Sequence, residues 1–398
     1  MSKKPNGPNA PSYPANRRNG SQESRQGHRS HDGGLGSCVY IARRQHGLIT
    51  TRQALGAGLT PDLLRHLVRA GMWLRARQGI YALPGAMPSA EDEACGRLSA
   101  DGRPPHSVPR RRTVPGATAT GASTDAAADP SGLAVDLPGP PVNGSYPAAK
   151  ARLPFRVRVR AALLARPGAV ACGVTAGRLL GFAGLPQPAD DEPVHLRLPV
   201  HGSRRQLEGT VSHFGPVEAG ELVDLDGIPV TGPDRTLADL VLASSREDAV
   251  AMIDAALHRR LVTGLDKAVA ACAKRPGARR VASYWPLADG RAESVLETRL
   301  RLLLHDAGVP PPCLQWPVTD GTGRLLARLD LAWPGEMLDV EADGGAVHEL
   351  PPALHRDRER QNQLLDLGWR VRRVTWADVL RTPAKVVTSV TGWLAAGP

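Results

Sequence analysis

The stretch HGLITTRQALGAGLTPDLLRHLVRAGMWLRARQGIYALPG, residues 46–85, decides the fold of the N-terminal part of this chain. Thr50 precedes a short helical pattern, and Thr60 followed by Pro61 marks the start of a second, because Thr caps a helix N-terminus and Pro fits its first turn. Four apolar residues recur at helical spacing in this second pattern: Leu63, Leu64, Leu67 and Val68. The stretch therefore predicts two short capped helices.

The residues on either side complete the N-terminal unit. A helical pattern precedes Gly47, and MWLRARQGIYAL, residues 72–83, alternates about a turn at Gly79. Three helices and a basic two-stranded ribbon are typical of a winged helix-turn-helix. Its outward basic residues are predicted to contact DNA: Arg52, Arg65, His66, Arg69, Arg75 and Arg77.

Positive charge is concentrated in this unit. The chain has a formal net charge of +11, and residues 40–85 contain seven Arg, one acidic residue and no Lys. A small basic module is typical of a protein that binds a polyanion, most often nucleic acid. A charged surface that serves only solubility is the alternative.

The pattern of residues 46–85 resembles the N-terminal domain of the AbiEi-type antitoxins of type IV toxin–antitoxin, or abortive infection, systems. The resemblance covers about a tenth of the chain. It implies that the third helix and the wing contact double-stranded DNA, that the protein regulates transcription, and that a toxin is its partner.

The length of 398 residues exceeds one ordinary core, so we expect a multidomain protein of mixed α+β and α/β character. Two segments rich in small or polar residues are expected to be disordered. The predicted division is a disordered basic tail at 1–36, the winged helix-turn-helix at 37–90, a disordered Pro/Ala/Gly-rich insertion at 96–150, an α+β middle domain at 151–285 and an α/β domain at 291–398.

The five Cys are scattered and form no C-x-x-C pair, which favours a reducing, cytoplasmic location. No apolar run has the length of a membrane span, so no membrane role is expected.

In the middle domain, residues 231–245 and 247–262 predict two helices, and 194–200 and 209–214 predict strands. DGIPVTGPDRTLADL, residues 226–240, resembles the middle part of AbiEi-like regulators, and we predict no chemistry there.

A concentration of acidic residues marks the C-terminal part. In LDVEADGGAVH, residues 338–348, Asp339, Glu341 and Asp343 alternate with apolar residues and are predicted on one face of a strand. GRLLARLDLAW, residues 323–333, predicts a partner strand in a hairpin, with Leu329, Leu331 and Trp333 on one face and Asp330 on the other, beside Glu341.

Carboxylates on adjacent strands supply the oxygen ligands that Mg²⁺ prefers. Asp330 and Glu341 are therefore predicted metal ligands, and Glu297, on the preceding helix, is expected to complete the site through water. The bound Mg²⁺, or Mn²⁺, is expected to polarise a phosphate and to activate water.

The order of helix, two acidic strands, basic helix and GW strand resembles the PD-(D/E)XK nucleases, near the very-short-patch-repair endonucleases. HRDRERQNQLLDLGWRVRRVTWADVL, residues 355–380, carries much of this resemblance. It implies a restriction-endonuclease-like fold, a catalytic His348, a secondary acidic Glu297, and DNA contacts from Arg358 and Arg360. Asp343 stands where many of these nucleases have Lys, which departs from the pattern.

Simpler interpretations accompany these roles: a solvated loop for His348, a turn after Asp343, and a salt-bridged helix face for Arg358 and Arg360. The sequence thus leaves two functions open. One is a DNA-binding protein with a metal-dependent endonuclease domain, in phage defence or DNA repair. The other is an AbiEi-like antitoxin or transcriptional repressor whose nuclease fold is inactive.

Overall fold

The computed structural model describes residues 31–86, 153–189, 191–199, 205–273, 275–344 and 351–397. Within these ranges the chain is a mixed α and β protein with thirteen α-helices and three sheets. No helix among the described residues has both the length and the apolar character required to span a membrane. The predicted insertion at 96–150 lies outside the described residues.

The N-terminal unit consists of three helices and a three-stranded sheet. Its elements in chain order are α1 (His31–Arg43), β1 (Leu48–Thr50), α2 (Thr51–Gly56), α3 (Pro61–Arg69), β2 (Leu74–Arg77) and β3 (Ile80–Ala82). Thr50 and Gln53 form a reciprocal capping box at α2, and Thr60 caps α3, as predicted. The sheet order is β1-β3-β2, so β1, which the sequence did not predict, pairs with the hairpin.

Helix α1 begins earlier than the sequence predicted. It starts at His31, inside the stretch 1–36 that composition assigned to a disordered tail, so that boundary was wrong. Gly34 lies close to the chain after α2, because a Cβ there would be 3.2 Å from the Ala57 carbonyl oxygen. Burial of Cys38 and Ala42 in the core stabilises this helix despite its low local propensity.

The middle unit has a five-stranded sheet and a helical layer. Its elements are α4 (Phe155–Ala165), β4 (Val170–Ala171), α5 (Gly173–Leu180), β5 (Val194–Leu198), β6 (Thr210–Phe214), β7 (Leu222–Leu225), β8 (Ile228–Thr231), α6 (Pro233–Ala243), α7 (Arg246–His258), α8 (Asp266–Cys272) and α9 (Ala278–Val281). The sheet order is β6-β5-β4-β8-β7. The predicted strands β5 and β6 and helices α6 and α7 are present, and Leu237, Leu240 and Val241 are buried in one core.

The C-terminal unit is a four-stranded sheet covered by helices on both faces. Its elements are α10 (Val295–Asp306), β9 (Cys313–Thr319), β10 (Leu325–Trp333), β11 (Leu338–Asp343), α11 (Pro351–Asp366), β12 (Arg370–Thr375), α12 (Trp376–Arg381) and α13 (Pro383–Ala395). The sheet order is β12-β11-β10-β9, and only β11 and β12 are parallel. The predicted hairpin of β10 and β11 is present, with its turn at Pro334–Glu336.

One predicted face of this hairpin was wrong. Leu331 and Trp333 pack in the core beneath α10, whereas Leu329 packs on the opposite face with Leu364 of α11. The pairing of β9 with β10 skips Gln315, whose φ of 52° is left-handed. Such an irregularity breaks the strict alternation of side chains along a strand, which the sequence pattern assumed.

Apolar contacts and ion pairs join the three units. One face of the N-terminal sheet, with Leu48 and Ile80, packs on Val157 and Ala161 of α4. Helix α10 contributes Leu302 to the core of the middle unit and Leu300 to the core of the C-terminal unit. The described units therefore share buried surfaces.

Candidate nucleic-acid interface and acidic cleft

The outer face of α3 carries exposed basic side chains. Leu64 and Leu67 are buried beneath the helix, while Arg65, His66 and Arg69 are exposed. Helical spacing explains the separation, because residues three and four apart share a face. The predicted amphipathic arrangement of α3 is therefore present.

The other predicted basic residues of this unit differ in their surroundings. Arg52 on α2 and Arg75 on β2 are exposed, and neither has an ion-pair partner within the described ranges. Arg77 instead donates to the main-chain carbonyls of Glu208 and Gly209 in the middle unit. A register shift between Arg75 and Arg77 redirects the strand, so Arg77 does not belong with the outward basic set.

Asp330 lies in the cleft that the sequence analysis assigned to a metal. One carboxylate oxygen accepts from the Ala342 amide at 3.0 Å, and the other accepts from Gln315 Nε2 at 3.2 Å. Burial, and then the charges of Glu297 and Glu341, raise the pKa of Asp330 to about 6. Asp330 therefore favours the ionised form much less than an exposed aspartate does.

Glu297 approaches this carboxylate from the first turn of α10. It is 6% exposed, and it accepts from the Glu293 amide at 2.9 Å and from Gln315 Nε2 at 3.0 Å. Gln315 thus donates to both Glu297 and Asp330. Asp330 and Gln315 line a cleft of about 420 Å³, which Arg328 and Arg360 also line.

Glu341 has cationic partners on two elements. Its carboxylate pairs with Arg360 of α11 at 3.0 Å and with Arg373 of β12 at 3.2 Å, and its side chain is 12% exposed. Arg360, predicted to contact DNA, therefore contacts a protein carboxylate in this conformation. This ion pair joins α11 to β11 and also brings a cation to the rim of the acidic cleft.

Asp339 is a buried acid to which the sequence analysis gave no role. It is fully buried between Ala332 and Val371 on the neighbouring strands, and neither carboxylate oxygen has a hydrogen-bond partner within the described part of the chain. Burial, then the charges of Glu341 and Asp330, raise its pKa to about 8. The alternation of acids in 338–343 could have pointed to Asp339, but only the packing of α11 reveals its burial.

The remaining predicted site residues are His348, Arg358 and Asp343. His348 lies outside the described residues, and Arg358 lies in α11 with its side chain outside them. Asp343 is half-buried at the end of β11, opposite Thr375. Across the described ranges, no group of three or more His, Cys, Asp or Glu side chains is placed to hold a metal ion.

The chain is similar to proteins of known sequence in two ways. Residues 39–84 match a family described as "Transcriptional regulator, AbiEi antitoxin". The N-terminal unit is therefore similar to this class of regulator, and the matched residues include the end of α1, helices α2 and α3, β1 and the hairpin.

Two proteins of Mycobacterium tuberculosis match a longer part of the chain. They are uncharacterized protein MT2308 of strain CDC 1551 / Oshkosh and uncharacterized protein Rv2248 of strain H37Rv. Each is 33% identical over 225 residues, which is 56% of this chain and 80% of the relative. The chain belongs to the family of these two mycobacterial proteins.

Proposed function

We propose that this protein is a DNA-binding transcriptional regulator of the AbiEi antitoxin class and that residues 31–86 form a winged helix-turn-helix. The match of residues 39–84 to that class is the observation that carries the proposal. In this arrangement α3 is the recognition helix and the β2–β3 hairpin is the wing. A toxin as protein partner and a cytoplasmic location belong to the same proposal.

The exposed face of α3 supports this function electrostatically. Arg65 and Arg69 are one helical turn apart, and Asp62 is the acidic residue on the same face. Cationic side chains that contact DNA phosphates displace condensed counterions, so affinity falls steeply with salt. Arg52 and Arg75 extend the basic surface onto α2 and β2.

The test is duplex binding by the full-length protein, measured by fluorescence anisotropy over a range of salt concentrations. Arg65→Gln with Arg69→Gln is expected to weaken binding at least tenfold and to lower the slope of log K against log salt by about two, since each lost phosphate contact removes about 0.9. Arg279→Gln, an exposed arginine of the middle unit, is the matched control. Equal losses of duplex affinity in the double variant and in Arg279→Gln would contradict this interface.

A second candidate function is metal-dependent hydrolysis of phosphodiester bonds in the C-terminal unit. The observation that favours it is that the charges of Glu297 and Glu341 help to raise the pKa of Asp330, because a divalent cation beside Asp330 would offset this repulsion. The order α10–β9–β10–β11–α11–β12, with Asp330 on β10 and Glu341 on β11, also supports this proposal. Against it, Arg360 and Arg373 already neutralise Glu341.

The residues fit a metal only in part. Asp330 lines the cleft and shares its Gln315 partner with Glu297, and Mg²⁺ or Mn²⁺ held there would supply an activated water for attack on phosphorus. Asp330 would orient the ion, and Gln315 would hold the two carboxylates in place. Arg360 would bind a phosphate oxygen if it exchanged Glu341 for substrate.

Cleavage of supercoiled, linear, single-stranded and T:G-mismatched DNA in Mg²⁺ or Mn²⁺ tests this second function. Activity that disappears in Asp330→Ala and Glu341→Ala but persists in Asp366→Ala, an exposed residue of the same unit, would support it. Salt-dependent duplex binding without cleavage of any substrate would contradict this second function and leave only the transcriptional regulator.

A further inference from the structure

A second cavity lies in the middle unit, away from the basic face of α3 and from the acidic cleft. Its volume is about 250 Å³. The end of β4, strands β5 and β6, the start of α5, helix α6 and the chain after α8 enclose it. Its polar lining consists of Cys172, His195, Arg197, His213, Asp239 and Arg275.

Positive charge exceeds negative charge at the cavity wall. Asp239, whose side chain is 7% exposed, has three guanidinium partners: Arg197 at 3.4 Å, Arg235 at 3.3 Å and Arg275 at 2.6 Å. Glu221 neutralises one of them, because it pairs with Arg235 at 2.8 Å. Three guanidinium groups against two carboxylates leave one positive charge without a counter-charge within this cluster.

Of these three arginines, Arg197 has the fewest hydrogen-bond partners within the described residues. Its side chain is 10% exposed, and its buried Nε has no hydrogen-bond partner within the described part of the chain. The contact with Asp239, at 3.4 Å, is longer than a normal N–H···O hydrogen bond. Arg197 also lines the cavity, where an oxyanion would be a charged acceptor for its guanidinium group.

Two further sets of donors border the same space. His195 Nδ1 and His213 Nε2 are 3.1 Å apart and share one hydrogen bond, which leaves the second nitrogen of each ring for another partner. Helix α5 begins at Gly173 without a side-chain cap, and Gly173 and Val174 line the cavity. Free amides at a helix N-terminus favour bound anions.

We propose that this cavity binds the phosphate group of a small phosphorylated molecule. Arg197 and Arg275 supply charged donors, the imidazole pair supplies one further N–H donor, and the start of α5 supplies main-chain amides. The excess positive charge is then neutralised by the ligand. Leu240 and Leu242 form an apolar wall for a short organic body attached to the phosphate.

Calorimetric titration of the full-length protein with inorganic phosphate and with glycerol 3-phosphate, at constant ionic strength, tests this site. We expect saturable binding at one site that is at least tenfold weaker in Arg275→Gln and unchanged in Arg279→Gln. Tighter binding of glycerol 3-phosphate identifies a phosphorylated organic ligand, and equal binding identifies the phosphate group alone. Binding is also expected to survive Arg65→Gln with Arg69→Gln, which separates this site from the DNA face.

Loss of folding in Arg275→Gln is checked by its thermal unfolding curve. If that variant does not fold, His213→Phe provides the same comparison, because it removes both ring nitrogens of a lining residue and leaves all three guanidinium partners of Asp239 in place. Absence of saturable binding for both compounds overturns the proposal. Equal affinity in the wild type and in the folded lining variant overturns it as well.

Discussion

Replacement of Asp339 by Asn is expected to stabilise the C-terminal unit at neutral pH and to remove a pH dependence. Asp339 is fully buried, and neither carboxylate oxygen has a hydrogen-bond partner within the described residues. Burial raises its pKa to about 8, so the folded protein holds this group protonated at neutral pH. An unfolded chain ionises the same group near pH 3.9, its approximate reference pKa.

The sign of the effect follows from proton linkage. Between about pH 4 and about pH 8 the folded state binds one more proton at Asp339 than the unfolded state, so the free energy of unfolding falls as the pH rises. At about 1.4 kcal/mol for each pH unit, raising the pH from 5 to 7.5 costs about 3 kcal/mol. Asn cannot ionise, so the variant does not lose this stability.

Urea titration of the full-length protein at the two pH values measures this difference. Tryptophan fluorescence reports mainly on the C-terminal unit, because five of the seven Trp lie in 291–398. The advantage of Asp339→Asn over the wild type should grow by about 3 kcal/mol between pH 5 and pH 7.5. Asp366→Asn, an exposed carboxylate of the same unit, should show no such trend. An advantage that is constant with pH would refute the assignment of an unpaired, buried acid.

Three further predictions concern other contacts. Arg77→Gln should leave duplex affinity in anisotropy titrations within about twofold of the wild type, because its guanidinium binds main-chain carbonyls; a loss equal to that of Arg69→Gln would contradict this. Asp254→Ala should lower the free energy of unfolding in urea by about 3 to 5 kcal/mol, because it removes the buried partner of Arg301, whose side chain is only 12% exposed; a change below about 1 kcal/mol would exclude this role. Thr60→Ala should cost about 1 kcal/mol in the same assay through loss of the α3 cap, and Thr60→Ser should restore most of it.

Local chemistry allowed much of the N-terminal unit to be predicted. The caps at Thr50 and Thr60 and the turn at Gly79 depend on residues within a few positions of one another, so the sequence contains all the interacting groups. The exposed basic face of α3 follows from helical spacing in the same way. The family match covers this same segment.

The acidic cluster could be predicted only in part. The β10–β11 hairpin and the approach of Glu297 to Asp330 follow from strand and helix patterns, and both are present in the fold. The sequence did not indicate that Gln315 bridges these two acids, because its position depends on an irregular pairing of β9. The arginine partners of Glu341 likewise come from elements that follow it in the chain.

By itself, then, the sequence determined the short-range features of this protein: where helices start, where the hairpins turn and which face of α3 is basic. Tertiary structure decided which polar groups lose contact with water. Asp339 is buried because α11 covers one face of the sheet. Arg77 is hydrogen-bonded to main-chain carbonyls because the middle unit lies against β2. The physical reason is that desolvation depends on elements far apart in the chain, whereas caps and turns depend on adjacent residues.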